Sequence, residues 1–335
     1  METREKIVII GGGFAGLQLA KALNKKRKKV IVIDKVNHHM FQPLFYQVAC
    51  GRIEPSNISF PFRKIFQRSR NIQFRMVEVQ KILPEQNKII TEDAEFTYDK
   101  LIIATGCKTN FFGNSKMQGL TYGMKNTQEA IAIRNNILLT FEKLIIEKRR
   151  SDDGNWNIVI VGSGPTGVEL AGAFAEMKKD ILPRDYPNMN FNDLQIILIS
   201  STEKPLNVMS KEAQEKSERY LKELGVHFMS GEFVTDYDGD QVTMKSGKTI
   251  KSNNVIWAAG VTGNVIEGLN PEIIVRNRYK TDRFNRVQGY KNIFAIGDIA
   301  YMETPKYPEA HPQVANVAIN QGTNLASNLL KNSEN

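Results

Sequence analysis

The sequence predicts an α/β fold built on two parallel sheets, each begun by a βαβ unit. Two glycine-rich turns, Gly11–Gly16 and Gly162–Gly167, each stand between a short β-branched run and a helix-forming stretch. A strand, a glycine turn and a helix in this order are typical of a nucleotide-binding βαβ unit. Because the two turns are a whole domain apart, they do not belong to a short repeat. We therefore expect two Rossmann-like dinucleotide-binding domains.

The elements of both units follow from the apolar runs that flank the turns. The first unit is predicted to contain the strand Lys6–Ile10, the helix Phe14–Lys25 and the strand Val30–Ile33. The second is predicted to contain the strand Ile158–Val161, a helix from Pro165 to about Asp180 and the strand Ile196–Ile199.

The remaining segments predict further strands and one long helix. Short strands are expected near Ile72–Val79 and Lys88–Thr91. Two apolar strands stop at a glycine, where bulk would block a nearby cofactor or backbone: Leu101–Ile103 before Ala104-Thr105-Gly106, and Val255–Trp257 before Ala258-Ala259-Gly260. A buried strand from Ile293 ends at Gly297-Asp298, and a helix is expected from about Val314 to Leu330.

Composition narrows the class of protein. The chain has 335 residues and a formal net charge of +9, with basic clusters at Lys25–Lys29, Arg63–Arg70 and Lys148–Arg150. Such clusters are most often solvated faces; a second interpretation is a surface that rests on anionic lipid head groups. No nucleic-acid-binding motif accompanies the charge, so nucleic acid is not an expected partner. Neither a secretory signal nor an apolar stretch of membrane-spanning length is present, which predicts a cytoplasmic protein.

The two cysteines, Cys50 and Cys107, are far apart and form no CxxC pattern. They favour neither a disulfide framework, nor a zinc site, nor a redox-active dithiol. Both are expected to be small buried apolar residues, and no metal is expected.

The first glycine turn predicts a dinucleotide site. Glycines allow a phosphate to approach the N–H groups at a helix start. Asp34 ends the second strand, roughly 20 residues on, where an acid accepts hydrogen bonds from an adenosine ribose.

The second turn predicts an NADH site whose phosphate preference is open. Ser200 stands where an acid would select the unphosphorylated ribose. Glu203 would repel a 2′-phosphate and Lys204 would attract it, so NADPH is not excluded; Ser200 has the alternative of capping a turn. Glu169 is placed in the first turn of the helix, where it either suits the helix dipole or acts at the nicotinamide as a positioning or proton-transfer group.

Nearly the whole chain resembles type II NADH:quinone oxidoreductases, single-subunit FAD enzymes of the two-dinucleotide-binding-domain flavoproteins. The segments that carry the resemblance are 41–49 (FQPLFYQVA), 98–113 around ATG, 165–172 (PTGVELAG) and 255–261. The resemblance implies FAD contacts from Gly11, Gly12, Gly13, Phe14, Ala15, Gly16, Asp34, Lys35, His39, Gln42, the Val79 backbone, Ala104, Thr105, Gly106, Gly297 and Asp298. It implies NADH contacts from Gly162, Gly164, Pro165, Thr166, Gly167, Ala259 and Gly260, with Glu169 functionally central. For His39 the alternative is a neutral histidine satisfied by backbone.

Two departures from the family pattern concern the quinone side. The family motif Ala-Gln-x-Ala-x-Gln-Gln-Gly is matched here by Ala315-Asn316-Val317-Ala318-Ile319-Asn320-Gln321-Gly322. Asparagine keeps the amide chemistry with one methylene less reach, so a flavin or quinone contact from Ala315 and Asn316 is retained as an expectation. A role in the helix core or as a cap is the alternative. Family members also continue past the residue that matches Asn335 into a membrane-lying segment, so the chain is expected to be a catalytic core without its anchor.

Together these observations predict residues 1–115 and 275–335 as the FAD domain, with residues 116–274 as an inserted NAD(P)H domain. The expected activity is that of a non-proton-pumping NADH dehydrogenase, which passes a hydride from NADH to FAD and electrons on to a membrane quinone. A peripheral position at the cytoplasmic face of the membrane and a homodimer are further expectations. The alternatives are a soluble NAD(P)H diaphorase or ferredoxin-type reductase, and a non-catalytic nicotinamide-binding module.

Overall fold

A computed structural model describes residues 4–147 and 154–331, so the basic cluster at Lys148–Arg150 lies outside the described residues. The strands are β1 (Lys6–Ile10), β2 (Lys29–Asp34), β3 (His38–Met40), β4 (Ser59–Pro61), β5 (Ile72–Met76), β6 (Val79–Leu83), β7 (Lys88–Thr91), β8 (Glu95–Thr97), β9 (Lys100–Ile103), β10 (Cys107–Thr109), β11 (Ile158–Val161), β12 (Ile196–Ile199), β13 (His227–Met229), β14 (Val234–Tyr237), β15 (Gln241–Met244), β16 (Thr249–Lys251), β17 (Asn254–Trp257), β18 (Val261–Gly263), β19 (Ile274–Val275), β20 (Arg278–Thr281), β21 (Ile293–Ala295) and β22 (Ala300–Met302).

The helices are α1 (Phe14–Ala22), α2 (Phe45–Ala49), α3 (Phe62–Phe66), α4 (Ser115–Leu120), α5 (Thr127–Glu147), α6 (Pro165–Asp180), α7 (Leu182–Asp185), α8 (Lys211–Glu223) and α9 (Ala315–Lys331). Short 3₁₀ turns occur at Gln42–Leu44, Pro55–Ile58, Pro84–Gln86, Pro271–Ile273 and Gly297–Ile299.

The chain divides into two compact units. Unit 1 comprises Met1–Met40, Ser59–Lys108 and Thr262–Asn335, and unit 2 comprises Phe41–Ile58 and Thr109–Val261. The units change at residues 108/109 and 261/262, and residues 41–58 belong to unit 2, whereas the predicted domains change at 115/116 and 274/275. The assignment of a cofactor to each unit stays a prediction at this point.

Unit 1 is centred on a five-stranded parallel sheet in the order β21-β9-β1-β2-β5. The central strands have almost uninterrupted apolar sequences, such as KIVII in β1, because both faces of the sheet are covered. Helices cover one face, and residues of β6, β7 and β20 pack on the other. One face is buried by α1 and α9, with Leu19, Leu325 and Leu329 in that core. Gly322 allows α9 to approach α1 closely, since a Cβ there would lie 2.6 Å from the Ala15 carbonyl oxygen.

Unit 2 is centred on a four-stranded parallel sheet in the order β13-β12-β11-β17. Its β11 and β12 are fully buried runs of isoleucine, valine and leucine. The predicted bounds of β11, α6 and β12 are those that the structure shows. A separate antiparallel sheet is formed by β14, β15 and β16.

Two predicted segments of unit 1 differ in their bounds from the structure. The helix after Gly13 ends at Ala22 rather than Lys25, because Lys25 has a φ of 61° and its N–H donates to the Asn71 side chain. Of the short strands expected near Ile72–Val79, β5 ends at Met76, and Val79 begins β6 in a different sheet. The break occurs at Val77, whose N–H donates to the Asp34 carbonyl.

Candidate functional site

The glycine turn of unit 1 is a closely packed bend between β1 and α1. Gly11 has a φ of 102°, and a Cβ there would overlap the carbonyl oxygen of Ala104. A Cβ on Gly16 would overlap the carbonyl oxygen of Gly11, and one on Gly12 would overlap the Phe62 ring. Glycine is therefore required at these three positions by the protein itself.

Gly13 differs from its neighbours because it faces open space. It is the N-cap of α1 without any side-chain cap, and no protein atom lies within 4 Å of an added Cβ. The first N–H groups of α1 lack intrahelical partners, as in every helix. A helix start left open in this way fits the pyrophosphate of a dinucleotide.

Asp34 ends β2 beside this turn. Its carboxylate accepts hydrogen bonds from the N–H groups of Gly12 at 2.7 Å and Val36 at 3.1 Å. Burial raises the pKa of this carboxyl, while the two backbone donors act in the opposite direction. Its remaining lone pairs are suited to accept hydrogen bonds from ribose hydroxyls.

A cavity of about 650 Å³ in unit 1 brings several predicted residues together. Of the predicted set, its lining contains Gly11, Asp34, Lys35, Val79 and Thr105. The lining also contains the segment 262–267, which sequence reasoning missed. Asn264 ties this segment to the turn after β9: its side chain donates to the Thr105 carbonyl at 3.0 Å, and the Thr105 hydroxyl donates to the Asn264 carbonyl at 2.7 Å. Gly106 adopts a φ of 65° in the same turn.

His39 supports the glycine turn from within the protein. It is buried, and its Nδ1 lies 3.0 Å from the Gly12 carbonyl oxygen, to which it must donate because a carbonyl only accepts. Burial lowers the pKa of His39, which favours the neutral ring with its proton on Nδ1. The Phe14 ring packs against it edge-on at 5.2 Å. The geometry is that of a histidine satisfied by backbone.

The turn Gly297-Asp298 is held by residues from three parts of the chain. Gly297, with a φ of 75°, donates its N–H to Oε1 of Gln321 at 2.7 Å. Oδ2 of Asp298 accepts from the Cys107 thiol at 2.9 Å, and the Gln313 amide donates to the Asp298 carbonyl at 3.0 Å. Cys50 is buried as expected, but Cys107 is only half-buried and polar in its contacts, which corrects the sequence expectation.

The start of α9 holds the residues predicted on the quinone side. Ala315 is its half-buried first residue, and Asn316 and Asn320 are exposed. Gln321, which was quoted only as part of the motif, is buried and carries the contact to Gly297. The sequence gives little indication of this buried contact, because a glutamine on a helix is usually exposed.

Unit 2 repeats the glycine turn of unit 1. Gly162 has a φ of 108°, and a Cβ there would lie 2.5 Å from the Ala258 carbonyl oxygen. A Cβ on Gly167 would overlap the Gly162 carbonyl, whereas Gly164, the uncapped N-cap of α6, faces open space as Gly13 does. Pro165 and Thr166 are exposed in the first turn of α6.

The strand β17 ends at Trp257 beside this turn, and it is followed by Ala259 and Gly260, which are both half-buried. Gly260 has a φ of 153°, and its carbonyl accepts from the Asn110 N–H at 3.0 Å. The Trp257 indole donates to the Asn110 carbonyl at 2.8 Å, so the segment after β10 is fastened to the end of β17.

Glu169 lies in the second turn of α6, which corrects its predicted place in the first turn. Its side chain is exposed at the surface, yet neighbouring protein atoms desolvate the carboxyl enough to raise its pKa. Within the described residues the carboxyl has no hydrogen-bond partner.

Gln42, predicted as an FAD contact, is exposed in a 3₁₀ turn and belongs to unit 2.

Two parallel-sheet units, each with a tight glycine turn at an open helix start, define a dinucleotide-dependent oxidoreductase. In agreement, residues 5–322 match the pyridine nucleotide-disulphide oxidoreductase family. The type II NADH:quinone oxidoreductase Ndh of Mycobacterium tuberculosis is 32% identical over 98% of this chain and 72% of its own length. The type II NADH:quinone oxidoreductase of Staphylococcus aureus is 25% identical over 98% of this chain and 82% of its own.

The fold agrees with these similarities. The solved structure of NDH2 from Plasmodium falciparum in complex with NADH matches with a TM-score of 0.89 over 98% of this chain and 84% of the other, at 21% identity. The chain belongs to the pyridine nucleotide-disulphide oxidoreductases and, among them, to the type II NADH:quinone oxidoreductases. This confirms the predicted fold class, enzyme class and cofactors, FAD and NADH, with quinone as the electron acceptor.

Proposed function

We propose that unit 1 holds FAD at the Gly11 turn and that unit 2 holds NADH at the Gly162 turn. The observation that carries this assignment is the repeated turn with a different residue after the second strand. Asp34 in unit 1 offers a carboxylate to a ribose, and Ser200 in unit 2 does not. The unit with the acid, and with the 650 Å³ cavity beside it, fits the permanently bound cofactor.

The residues of unit 1 orient the cofactor rather than react with it. The N–H groups at the start of α1 bind the pyrophosphate, and Asp34 accepts from the ribose hydroxyls. Lys35, Val79 and Thr105 line the remainder of the cavity. Gly297 and Asp298, fastened by Gln321 and Cys107, present a backbone turn and a carboxylate to the flavin side. When bound, FAD would supply the redox chemistry that links oxidation of NADH to reduction of the quinone.

In unit 2 the start of α6 binds the dinucleotide phosphates, and Ala259 and Gly260 flank the nicotinamide half. Glu169 acts at this end of the site. Its partly desolvated carboxyl, without a protein partner, is suited to orient a carboxamide or to hold and release a proton. The net reaction consumes NADH, one proton and a quinone, and it produces NAD⁺ and a quinol.

The test is anaerobic reduction of the FAD-loaded protein by NADH, followed by mixing with a short-chain quinone. NADH is expected to bleach the flavin absorbance in the visible range, and the quinone to restore it. A colourless protein, or a yellow one that NADH does not bleach, would contradict the assignment. Restoration by an artificial dye or by ferredoxin, but not by quinone, would favour the diaphorase or ferredoxin-type reductase.

We also infer that the protein works at an anionic membrane surface, on the cytoplasmic face. Two basic clusters of unit 1 support this because Asn71 joins them: its side-chain amide donates to the carbonyls of Leu23, Lys26 and Lys28. Next to Asn71 in the chain are the exposed Arg68 and Arg70. Within the described residues, no helix is long and apolar enough to cross a bilayer.

Each basic side chain near an anionic membrane contributes roughly 1 kcal/mol of binding energy. Cosedimentation with vesicles that contain anionic phospholipid, compared with neutral vesicles, tests this surface. Reversal of Arg68 and Arg70 to glutamate is expected to abolish the preference for anionic vesicles, and an unchanged preference contradicts it. The homodimer stays a prediction, which analytical ultracentrifugation of the pure protein tests.

A further inference from the structure

The two units have matching backbone hydrogen bonds at the end of the second strand of each βαβ unit. In unit 1, Gly11 donates to the Ile33 carbonyl at 2.7 Å; in unit 2, Gly162 donates to the Ile199 carbonyl at 2.8 Å. The next residue is therefore Asp34 in one unit and Ser200 in the other. The N–H two residues on donates to that side chain at 3.1 Å in both units.

The side chains at this shared position differ in charge and in hydrogen bonding. Where the Asp34 carboxylate accepts from the Gly12 N–H, the Ser200 hydroxyl lies 2.6 Å from the hydroxyl of Ser163. Both serines are buried, at 3% and 7% exposure. Unit 2 thus has a neutral pair where unit 1 has a fixed negative charge.

The hydroxyl protons have one consistent direction. Thr202 Oγ1 donates to the Lys204 carbonyl at 2.9 Å, because that carbonyl only accepts. Ser200 Oγ, 2.9 Å from Thr202 Oγ1, must therefore donate to it, and Ser163 must donate to Ser200. Ser200 also accepts from the Thr202 N–H. With one proton donated and two bonds accepted, Ser200 has no capacity left for a ribose hydroxyl.

The charged groups around this loop largely neutralise one another. Lys204 pairs with Glu218 at 3.3 Å, and Lys248 pairs with Glu232 at 2.8 Å, where the Ser246 hydroxyl also donates. Glu203 is the exception, an exposed carboxylate beside Gly231. Because it is exposed, water and salt screen its repulsion of a 2′-phosphate. A buried carboxylate at position 200 would not be screened in this way.

We propose that Ser200 makes unit 2 accept NADPH as a second hydride donor beside NADH. This rests on the proposed function of unit 2. Neither the hydrogen bonds that reward a free ribose 2′-hydroxyl nor the buried charge that rejects a 2′-phosphate is present at the end of β12. The hydroxyl chain from Ser163 to Lys204 holds the loop in place without contributing to selectivity.

The first test measures the affinity for nucleotide fragments and needs no flavin chemistry. Isothermal titration calorimetry of the FAD-loaded protein is expected to give dissociation constants for 2′,5′-ADP and 5′-AMP within about tenfold of each other. A preference for 5′-AMP of more than about a hundredfold would overturn the proposal. If neither fragment binds, the assignment of the nucleotide site to unit 2 fails as well.

Three variants test whether the charge at position 200 determines the ratio of the two dissociation constants. Ser200→Asp is expected to weaken 2′,5′-ADP at least about tenfold relative to 5′-AMP, because a buried carboxylate repels the phosphate strongly. The Ser163 hydroxyl and the Thr202 N–H would be the donors to it. Ser200→Asn has the same shape without charge and is expected to leave the ratio near wild type. Ser201→Asp adds the charge at the exposed neighbour and is expected to change the ratio less than Ser200→Asp; an equal change would overturn the assignment to Ser200.

The second test is anaerobic stopped-flow reduction by each donor. NADPH is expected to reduce the flavin with a second-order rate constant within about tenfold of that for NADH. Reduction by NADH but not by NADPH would overturn this inference and leave the proposed function standing. Reduction by neither donor would contradict the proposed function itself.

Discussion

The amide N–H of Gly297 donates to Oε1 of Gln321 at 2.7 Å, which fastens the turn after β21 to α9. Both residues are buried, and they are 24 positions apart in the chain. The contact holds Gly297 in a left-handed conformation beside Asp298, where the cofactor is proposed to bind. A side chain inside one helix therefore determines the shape of a turn elsewhere in unit 1.

Replacing Gln321 with methionine should lower the free energy of unfolding by about 1–3 kcal/mol, since the buried Gly297 N–H loses its acceptor. FAD retention should fall too, because the turn is released. Urea unfolding and the ratio of flavin to protein after dialysis measure the two effects. The neighbouring exposed Asn320, changed to alanine, is the control and should shift stability by less than about 0.5 kcal/mol. Equal behaviour of both variants would contradict this role of Gln321.

Substitutions of the glycines at the start of α1 should separate effects on packing from effects on FAD binding. Gly13→Ala adds a methyl group that touches no protein atom, so it should cost at most about 1 kcal/mol of stability without FAD. Its affinity for FAD should nevertheless fall at least about tenfold, because the pyrophosphate must approach that backbone.

Gly11→Ala is the matched comparison and should destabilise the protein even without FAD, because its methyl group would overlap the Ala104 carbonyl. Thermal unfolding of the FAD-free proteins and fluorescence titration with FAD make both measurements. An affinity of Gly13→Ala for FAD equal to wild type would argue against pyrophosphate binding at this turn.

Glu169→Gln should slow NADH-dependent flavin reduction, or the following quinone step, without unfolding the protein. Desolvation by neighbouring protein atoms raises the pKa of this carboxyl, so the folded state holds its proton more tightly than the unfolded state. The ionised carboxyl therefore opposes folding at neutral pH, and the variant should unfold at an equal or slightly higher temperature than wild type at pH 7. That difference should vanish well below the ordinary pKa of 4.5, where both states are protonated. Stopped-flow rates equal to wild type in both half-reactions would remove Glu169 from the mechanism.

His39 should make stability depend on pH. Because its pKa is lowered below 6.5 in the folded state, the unfolded state binds the proton more readily. Stability should therefore rise with pH up to about 6.5 and be lost as pH falls through the folded pKa. His39→Phe should remove this dependence in urea unfolding series between about pH 5.5 and 7.5. His38→Gln, which changes the half-buried neighbour, should retain it; the opposite pattern would assign the dependence to His38.

The elements of the βαβ unit in unit 2 were predictable because each is encoded within its own segment. Runs of isoleucine and valine mark β11 and β12, and Pro165 after Gly164 marks the start of α6. In unit 1 the sequence did not reveal the end of α1 or the break between β5 and β6. Both depend on partners from elsewhere, the Asn71 side chain and the Asp34 carbonyl.

The sequence by itself determined the fold class and the two glycine turns, together with the acid after one strand and the serine after the other. These are properties of residue type and spacing, and steric exclusion at Gly11 and Gly162 leaves little choice of side chain. Only the tertiary structure decided which hydrogen bonds form. The Gly297 N–H donates to Gln321, His39 donates to the Gly12 carbonyl, and the Ser200 hydroxyl makes all its hydrogen bonds within the protein. A buried polar group takes whichever partner the packing brings within about 3 Å, and spacing along the chain does not specify that partner.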